Sequence, residues 1–181
     1  MGKAWKHFCT IARHRRLVRK GCFAIGLYWQ GLTHDLSKFS PSEFMVGAKY
    51  FQGDRSPNNA EREDIGYSSA WLHHKGRNKH HYEYWIDYSS HYRKNGDDIM
   101  APVPMPDRYI AEMLMDRIAA SKVYRGDKYT DKDPLDYYFT GTHEAPLHEY
   151  TRSKLLHYLE MLAEKGEKET FKAIKKELVK K

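Results

Sequence analysis

The sequence has few cysteines and no long hydrophobic run. Its two cysteines, Cys9 and Cys22, are too few for the disulfide framework of a small secreted domain. The longest mostly apolar stretch, Cys22–Trp29, is far shorter than the roughly 20 residues that a membrane-spanning helix needs. We therefore expect a cytoplasmic protein with no membrane partner.

Aromatic residues are abundant and argue for a folded chain. The 181 residues include 14 Tyr, 7 Phe and 4 Trp, whereas disordered chains are poor in aromatic side chains. This length is typical of one domain. We predict a single domain over residues 1–181.

The net charge of +7 is concentrated at the start of the chain. Residues 1–20 contain no acid and seven basic residues, which are Lys3, Lys6, Arg13, Arg15, Arg16, Arg19 and Lys20. The acidic and basic residues of the remaining chain are therefore equal in number. Such a segment could contact nucleic acid or anionic lipid, steer a phosphorylated substrate, or be a solvated face. Contact with nucleic acid through residues 3–20 therefore stays open.

The hydrophobic spacing is helical almost everywhere, and no Asn-Gly or Asp-Gly turn lies between alternating apolar runs. We predict an all-α domain of six to eight helices. The first helix should run from about Lys3 into the twenties, with Phe8, Ile11 and Val18 near one face. In Ser40-Pro41-Ser42-Glu43, the serine and glutamate predict a capping box that starts another helix.

The rest of the chain continues this pattern. One helix is predicted from about Ala60 to Gly76, and another begins at Asn78. Tyr92–Pro104 should be an ordered loop or a lid, because it contains Asn-Gly and prolines. The later predicted helices run from Pro106 to Gly126, from about Ala145 to Ala163, and from Lys168 to Val179, with 168–181 as a basic C-terminal helix.

Histidines and acids are the candidate metal ligands. Two histidine doublets, His73-His74 and His80-His81, flank a predicted turn, and a His34-Asp35 pair precedes them. Imidazole and carboxylate are ligands for divalent metals, although a histidine-rich turn facing solvent has the same composition.

Two further acids lie on the helix that follows Pro106. Glu112 and Asp116 are four residues apart in an otherwise apolar stretch, so they share a helix face. Two such carboxylates would favour a cation between them, unless that face is exposed to solvent.

These residues resemble a known signature. His14, His34-Asp35 and the late Asp116 resemble the H…HD…D pattern of the HD-domain superfamily of metal-dependent phosphohydrolases. The run HDLSKFSPSEF from residue 34 and the pattern HH-x5-HH-x-E-x-W from residue 73 more closely resemble an uncharacterised family of bacteria and phages. That similarity extends from about Leu17 to Leu156.

The resemblance implies an HD-like helical domain that holds one or two divalent ions. The predicted metal ligands are His14, His34, Asp35, His74, His80, His81 and Asp116. His14 and His34 would be about 30 Å apart on one continuous helix. The helix must therefore break between them, and Gly21, Gly26 and Gly31 are the candidate positions.

The predicted function is metal-assisted hydrolysis of a small phosphorylated or nucleotide-like substrate. Asp35, Lys38 and Glu112 are assigned to catalysis, and the substrate-binding candidates are Arg15, Arg77, His148 and Arg152. The ion could be Mn, Fe, Co, Mg or Zn.

Two alternatives and one question of assembly stay open. Relatives with four His and two Asp ligands are di-iron oxygenases, and a non-catalytic nucleic-acid-binding module is the other alternative. The tyrosine-rich segment Tyr129–Phe139 could be a pocket wall or a contact in an oligomer.

Overall fold

The computed structural model describes residues 2–89 and 99–179, and it is mainly α-helical with a single domain, as predicted. This part of the chain contains eight α-helices: α1 Lys3–Ala24, α2 Tyr28–Thr33, α3 Pro41–Tyr50, α4 Pro57–Ile65, α5 Ser69–Lys75, α6 Asp107–Arg125, α7 Asp133–Phe139 and α8 Glu149–Val179. Short 3₁₀ turns lie at Leu36–Phe39, Tyr82–Trp85, Gly126–Lys128 and Thr142–Glu144. None of the helices described is both long and apolar enough to cross a membrane.

Helix α6 lies at the centre of the core, between α1 and α8. It contributes Ile110, Leu114 and Ile118, which are buried in one hydrophobic cluster with apolar residues of α1 and α8. Helix α1 packs closely against α6 at Gly21, where a Cβ would lie only 2.6 Å from Met115 Sδ. This packing brings the buried face of α1 alongside α6, where Asp116 is located.

The predicted break between His14 and His34 occurs at Gly26. This glycine has φ 87°, which ends α1 and lets α2 fold back against it, whereas Gly21 and Gly31 lie inside helices. Asp35 follows α2 with φ 54° and is the single non-glycine residue at positive φ among residues 2–89 and 99–179. This rare conformation turns the aspartate side chain back toward α1.

Several predictions for residues 40–85 were wrong. Helix α3 does begin at Pro41 with Ser40 as its N-cap, as predicted, but the Ser40 side chain makes no capping hydrogen bond, so the capping box is absent. The helix predicted from Ala60 to Gly76 is two helices, because Gly66 has φ 84° and Ser68 Oγ accepts a hydrogen bond from Trp71 N to start α5. No α-helix begins at Asn78, and only a 3₁₀ turn follows.

A small antiparallel hairpin was also not predicted. Strand β1, Ile86–Tyr88, pairs with β2, Met100–Pro102, and Ile86 lies opposite Pro102. Their spacing of more than ten residues lacks the two-residue turn by which a hairpin is recognised in a sequence. Most of the predicted loop Tyr92–Pro104 lies outside the described residues.

Predictions for the C-terminal half were closer. Gly126 ends α6 with φ 56°, and α8 is interrupted at Gly166 with φ 74°, where two helices were expected. Of the residues predicted near one face of α1, Ile11 and Val18 are buried, whereas Phe8 is 38% exposed.

Candidate metal centre

Seven side chains from separate segments converge beneath α1. Five are histidines and two are aspartates, and every one was a predicted ligand: His14 of α1, His34 and Asp35 after α2, His74 of α5, His80 and His81 of the following loop, and Asp116 of α6. They form two groups of four that share Asp35, and within each group the ligand atoms lie within 4.8 Å of one another.

Cluster A consists of His14, His34, Asp35 and Asp116. His14 Nε2 lies 3.0 Å from Asp116 Oδ1 and 3.6 Å from Asp35 Oδ2. His34 Nε2 lies 3.4 Å from each of those oxygens and 3.4 Å from His14 Nε2.

Cluster B consists of Asp35, His74, His80 and His81. Asp35 Oδ1 lies 3.2 Å from His74 Nε2 and 3.4 Å from His80 Nε2. His74 Nε2 and His81 Nε2 are 2.9 Å apart. The two oxygens of Asp35 therefore face different clusters.

The distances within both clusters fit those between ligands of a common ion. Ligand atoms about 2.1 Å from one ion are about 3.0–3.4 Å apart at neighbouring positions of an octahedron or tetrahedron. The measured separations of 2.9–3.6 Å lie close to that range. The donor set of imidazole nitrogens and carboxylate oxygens also fits a divalent metal.

Two glutamates orient the histidine rings. Glu112 Oε1 accepts a hydrogen bond of 2.9 Å from His34 Nδ1 and lies 3.3 Å from His80 Nδ1, while Glu43 Oε2 accepts one of 2.8 Å from His74 Nδ1. A proton on each Nδ1 leaves a lone pair on Nε2, which points into the clusters. Ligand histidines in metalloproteins commonly have this arrangement.

This geometry corrects the prediction for Glu112, which was expected to share a cation with Asp116. Glu112, His34 and His80 do form a third close group of possible ligands. However, the atoms that face Glu112 are the Nδ1 atoms of the histidines, so hydrogen bonding accounts for the contact. Glu112 is therefore a positioning residue behind the clusters.

The electrostatics keep the aspartates ionised. Burial opposes ionisation, but the neighbouring His34 and Lys38 charges hold the pKa of Asp35 well below its usual value. The pKa of Asp116 is also well below its usual value, because hydrogen bonds from His14 and His34 outweigh its burial.

The histidines differ in their protonation. Burial favours neutral His34, but Asp35, Asp116 and Glu112 outweigh that effect and raise its pKa well above the ordinary value. Burial and the nearby histidines instead lower the pKa of His81 well below its usual range and also lower that of His80. The pKa of His74 is instead raised, because Asp35 and Glu43 outweigh its burial. In cluster B, His80 and His81 are thus the neutral imidazoles, the form that binds metal.

Several polar atoms in the clusters lack ordinary hydrogen bonds. Both carboxylate oxygens of Asp35 and His80 Nε2 are buried without a hydrogen-bond partner among the residues described. Lys38 Nζ lies 2.6 Å from Asp35 Oδ2 as an ion pair, but it contacts only the cluster A side. Buried acceptors of this kind are costly unless a cation or donor satisfies them, and divalent ions in the two clusters would do so.

Each cluster has one partly exposed ligand, Asp116 in cluster A and His81 in cluster B. The side chain of Asp116 is 19% exposed and that of Lys38 is 30% exposed, whereas those of Asp35, His34, His74 and His80 are buried. A substrate that approaches cluster A would therefore pass beside Asp116 and Lys38.

Of the four predicted substrate-binding residues, Arg15 lies beside the clusters, where the charge of Asp35 acts on it, and the hydrogen bonds of the other three are with backbone groups. Arg15 donates from Nε to His34 O and from Nη2 to Leu32 O, so it supports the loop backbone. Arg77 donates to His73 O, and Arg152 donates to His143 O and Ala145 O. His148 Nδ1 accepts from Tyr150 N at the start of α8.

Two residues near the site were not predicted to take part. Glu43 had been assigned to a capping box, yet it binds the Nδ1 atoms of both His73 and His74. Arg117 follows Asp116, and its buried Nε has no hydrogen-bond partner in the described part of the chain. Arg117 could have been noticed in the sequence, because it directly follows the predicted ligand Asp116. No local pattern links Glu43 to a histidine about 30 residues later.

A cleft of about 380 Å³ lies beyond His81. Tyr82 and Tyr137 line it together with Thr140, Gly141, Glu144 and Ala145. Tyr137 belongs to the tyrosine-rich segment, so that segment supplies part of a pocket wall.

Comparisons with known proteins identify a family but no characterised relative. No curated protein and no solved structure shows significant similarity to this chain. One family model, described as a family of unknown function (DUF5662), matches residues 3–161, which include every residue of clusters A and B. The chain therefore belongs to the DUF5662 family.

Proposed function

We propose that this protein is a metal-dependent phosphohydrolase with an HD-like site, in which clusters A and B hold one or two divalent ions. The observation that carries the proposal is the shared aspartate. Asp35 directs one buried oxygen at each cluster: Oδ2 forms an ion pair with Lys38 on the cluster A side, and Oδ1, which faces cluster B, has no hydrogen-bond partner in the described structure. A carboxylate in that position suits two ions bound side by side.

Divalent ions bound there would activate a water molecule and neutralise charge on a phosphate ester. The protein's own groups would do the remaining work. Glu112 and Glu43 would fix the ligand rings, which keeps their Nε2 atoms in position. Lys38 would stabilise negative charge that develops on the phosphate oxygens, because its ammonium group lies at the exposed edge of cluster A.

The oxygenase alternative calls for four histidine and two aspartate ligands. The structure instead brings five histidine Nε2 atoms and two aspartates into the clusters, because both His80 and His81 face cluster B. Metal identity and oxygen consumption distinguish the two chemistries. We favour hydrolysis because Lys38, at the exposed edge of cluster A, suits an anionic substrate.

The test combines metal analysis with an activity assay on untagged protein. We expect one or two equivalents of metal by mass spectrometry, and hydrolysis of p-nitrophenyl phosphate or bis-p-nitrophenyl phosphate with added Mn²⁺, Mg²⁺, Co²⁺, Fe²⁺ or Zn²⁺. An Asp35→Asn variant should lose both properties. His157→Ala is the matched control, since His157 is exposed and belongs to neither cluster.

Other results would contradict parts of this proposal. Protein that takes up no metal under any of these conditions would exclude the metal site. Bound iron together with substrate-dependent oxygen consumption, and no ester hydrolysis, would favour the oxygenase.

A further inference from the structure

The basic residues of α1 form no ion pairs within the described structure, although the charge of Asp35 acts on Arg15. Seven Lys and Arg side chains lie along this helix, and none forms an ion pair with a carboxylate among residues 2–89 and 99–179. Arg15 and Arg19 lie one helical turn apart on α1. Like charges at this spacing destabilise a helix slightly, so an external anion would relieve their repulsion.

Exposed aromatic rings lie on the same side of α1. Trp5 is 54% exposed and stacks on Phe8 with 5.5 Å between ring centroids and an angle of 20°. Phe8 in turn contacts Phe39, which is 36% exposed, and the Arg15 guanidinium lies 5.2 Å from the Phe39 ring centre. Helical spacing adds Arg19, four residues after Arg15, to this side of the helix.

We call Trp5, Phe8, Arg15, Arg16, Arg19 and Phe39 the aromatic–basic face. It reaches the edge of cluster A, because Phe39 follows Lys38, whose Nζ lies 2.6 Å from Asp35 Oδ2. Arg15 connects the two regions directly, since its Nε donates a hydrogen bond of 2.8 Å to His34 O. A polymer bound along the face would therefore end beside the ligands of the clusters.

We propose that the aromatic–basic face binds single-stranded nucleic acid and presents its phosphodiester backbone to the metal centre. Unpaired bases stack on exposed aromatic rings, and the accompanying phosphates are attracted to arginine and lysine. A duplex keeps its bases stacked inside and cannot use the rings in this way. The binding part stands on the α1 surface alone, whereas cleavage of the bound strand rests on the proposed phosphohydrolase function.

Binding can be measured without catalysis. A fluorescein-labelled 15-nucleotide oligothymidylate is titrated with full-length protein in EDTA at about 50 mM salt, and fluorescence anisotropy is recorded. We expect saturable binding that weakens steeply as salt is raised. Binding to a 15-base-pair duplex should be at least several-fold weaker.

Charge reversals test the location of the site. The double variant Arg16→Glu/Arg19→Glu should bind about tenfold or more weakly. Both side chains are exposed on α1, and each arginine that neutralises a phosphate releases counterions from the nucleic acid. The matched control Lys172→Glu/Lys175→Glu has the same change in charge on the exposed side of α8 and should bind within about twofold of the unchanged protein. Trp5→Ala should weaken binding at least fivefold, which is the lower end of the effect of losing one stacked base.

Several outcomes would overturn the proposal. These are no binding of the oligonucleotide, equal losses in the two charge-reversed variants, and equal affinity for duplex and single strand. Binding to vesicles that contain about one-third phosphatidylserine, without binding to the oligonucleotide, would assign the face to anionic lipid instead.

Assays of hydrolysis and of oligonucleotide binding on the same protein distinguish failure of this proposal from failure of the proposed phosphohydrolase function. Hydrolysis of p-nitrophenyl esters without oligonucleotide binding would retain the phosphohydrolase and reject nucleic acid as its substrate. Oligonucleotide binding in a protein that takes up no metal would support the face as a binding surface and reject the phosphohydrolase. With metal present, the bound strand should be cleaved, and Arg16→Glu/Arg19→Glu should slow that cleavage while leaving p-nitrophenyl ester hydrolysis within about twofold.

Discussion

Clusters A and B share one carboxylate but are assembled differently. Cluster A combines residues from positions 14, 34–35 and 116, so it forms only when α1, α2 and α6 have packed together. Apart from Asp35, the ligands of cluster B lie within residues 74–81, on one short helix and the loop after it. The global fold therefore determines the geometry of cluster A, and local structure supplies most of cluster B.

The clusters also differ in chemistry. Cluster A offers two imidazoles and oxygens of two aspartates beside a partly exposed edge, whereas cluster B offers three imidazoles and one aspartate oxygen. Oxygen-rich sites suit hard ions such as Mg²⁺ and Mn²⁺, and nitrogen-rich sites suit Zn²⁺ or Fe²⁺. We expect an exchangeable ion in cluster A and a more tightly held ion in cluster B.

Asp35→Asn should have the largest effect, because it is the one change that affects both clusters directly. Asparagine tolerates the positive φ of residue 35 and has nearly the same volume, so the fold should persist. The variant lacks the negative charge shared by the clusters, and we expect both ions and all hydrolytic activity to be lost. Metal analysis and circular dichroism check the result.

Asp35→Ala serves as a second variant with a larger disturbance. If Asp35→Asn keeps its full metal content, the aspartate does not bridge the clusters, and A and B share no ligand.

Single histidine substitutions should separate the clusters. His14→Ala removes a ligand of cluster A only, and His81→Ala removes one of cluster B only. We expect each variant to lose about one equivalent of metal, with the hard ion lost in the first and the softer ion lost in the second. Mass spectrometry after loading with a Mn²⁺ and Zn²⁺ mixture measures both. Loss of the same ion in both variants would mean that the clusters hold a single metal.

The two positioning glutamates should have smaller and unequal effects. Glu112 contacts ligands of both clusters, His34 and His80, whereas Glu43 contacts His74 of cluster B alone. Loss of such a contact commonly weakens metal binding about 10–100-fold. Glu112→Gln should therefore weaken both ions, and Glu43→Gln should weaken only the ion in cluster B, as measured by competition with a chelator. A uniform effect of Glu43→Gln on both ions would show that the clusters are coupled.

The residues of the two clusters were easier to recognise in the sequence than the groups around them. Repeated histidines and the His34-Asp35 pair could be recognised because ligand chemistry restricts the residue types, and Gly26 could be proposed as a break because the spacing required one. Glu43 could not be recognised, since its role depends on α3 packing beside α5, with a glutamate oxygen 2.8 Å from a histidine nitrogen. Long-range packing of this kind leaves no signal in a local pattern.

The helix boundaries show the same limit. The end of α6 at Gly126 follows from local chemistry, and it was predicted. The division between α4 and α5 was missed, although Glu61 stabilises it by accepting hydrogen bonds from the hydroxyl groups of Ser68 and Ser69. Phe8 was predicted near the same face of α1 as Ile11 and Val18, but it lies at the border of the buried face, where tertiary contacts decide its exposure.

His7 provides a comparison outside both clusters. It lies two helical turns before His14 on the buried face of α1, but it contacts the rings of Phe44 and Phe51, and its Nδ1 has no hydrogen-bond partner among the described residues. Burial, with a smaller effect of Lys38, lowers the pKa of His7 to about 4. The unfolded chain takes up a proton near pH 6.5, whereas the folded protein does so only near pH 4.

Stability from neutral His7 is therefore complete above about pH 6.5 and is lost as pH falls toward 4. Between pH 7.5 and 5, the expected loss in the free energy of unfolding is about 2 kcal/mol. Leucine has a volume similar to that of histidine and no titrating group. Between pH 7.5 and 5, the free energy of unfolding of His7→Leu should therefore fall by about 2 kcal/mol less than that of the unchanged protein. Urea unfolding of both proteins in EDTA measures the difference without a contribution from metal loss, and the metal content at pH 7.5 should be unchanged. Parallel pH dependences would mean that His7 takes up its proton at the same pH in the folded protein as in the unfolded chain, so that burial does not lower its pKa.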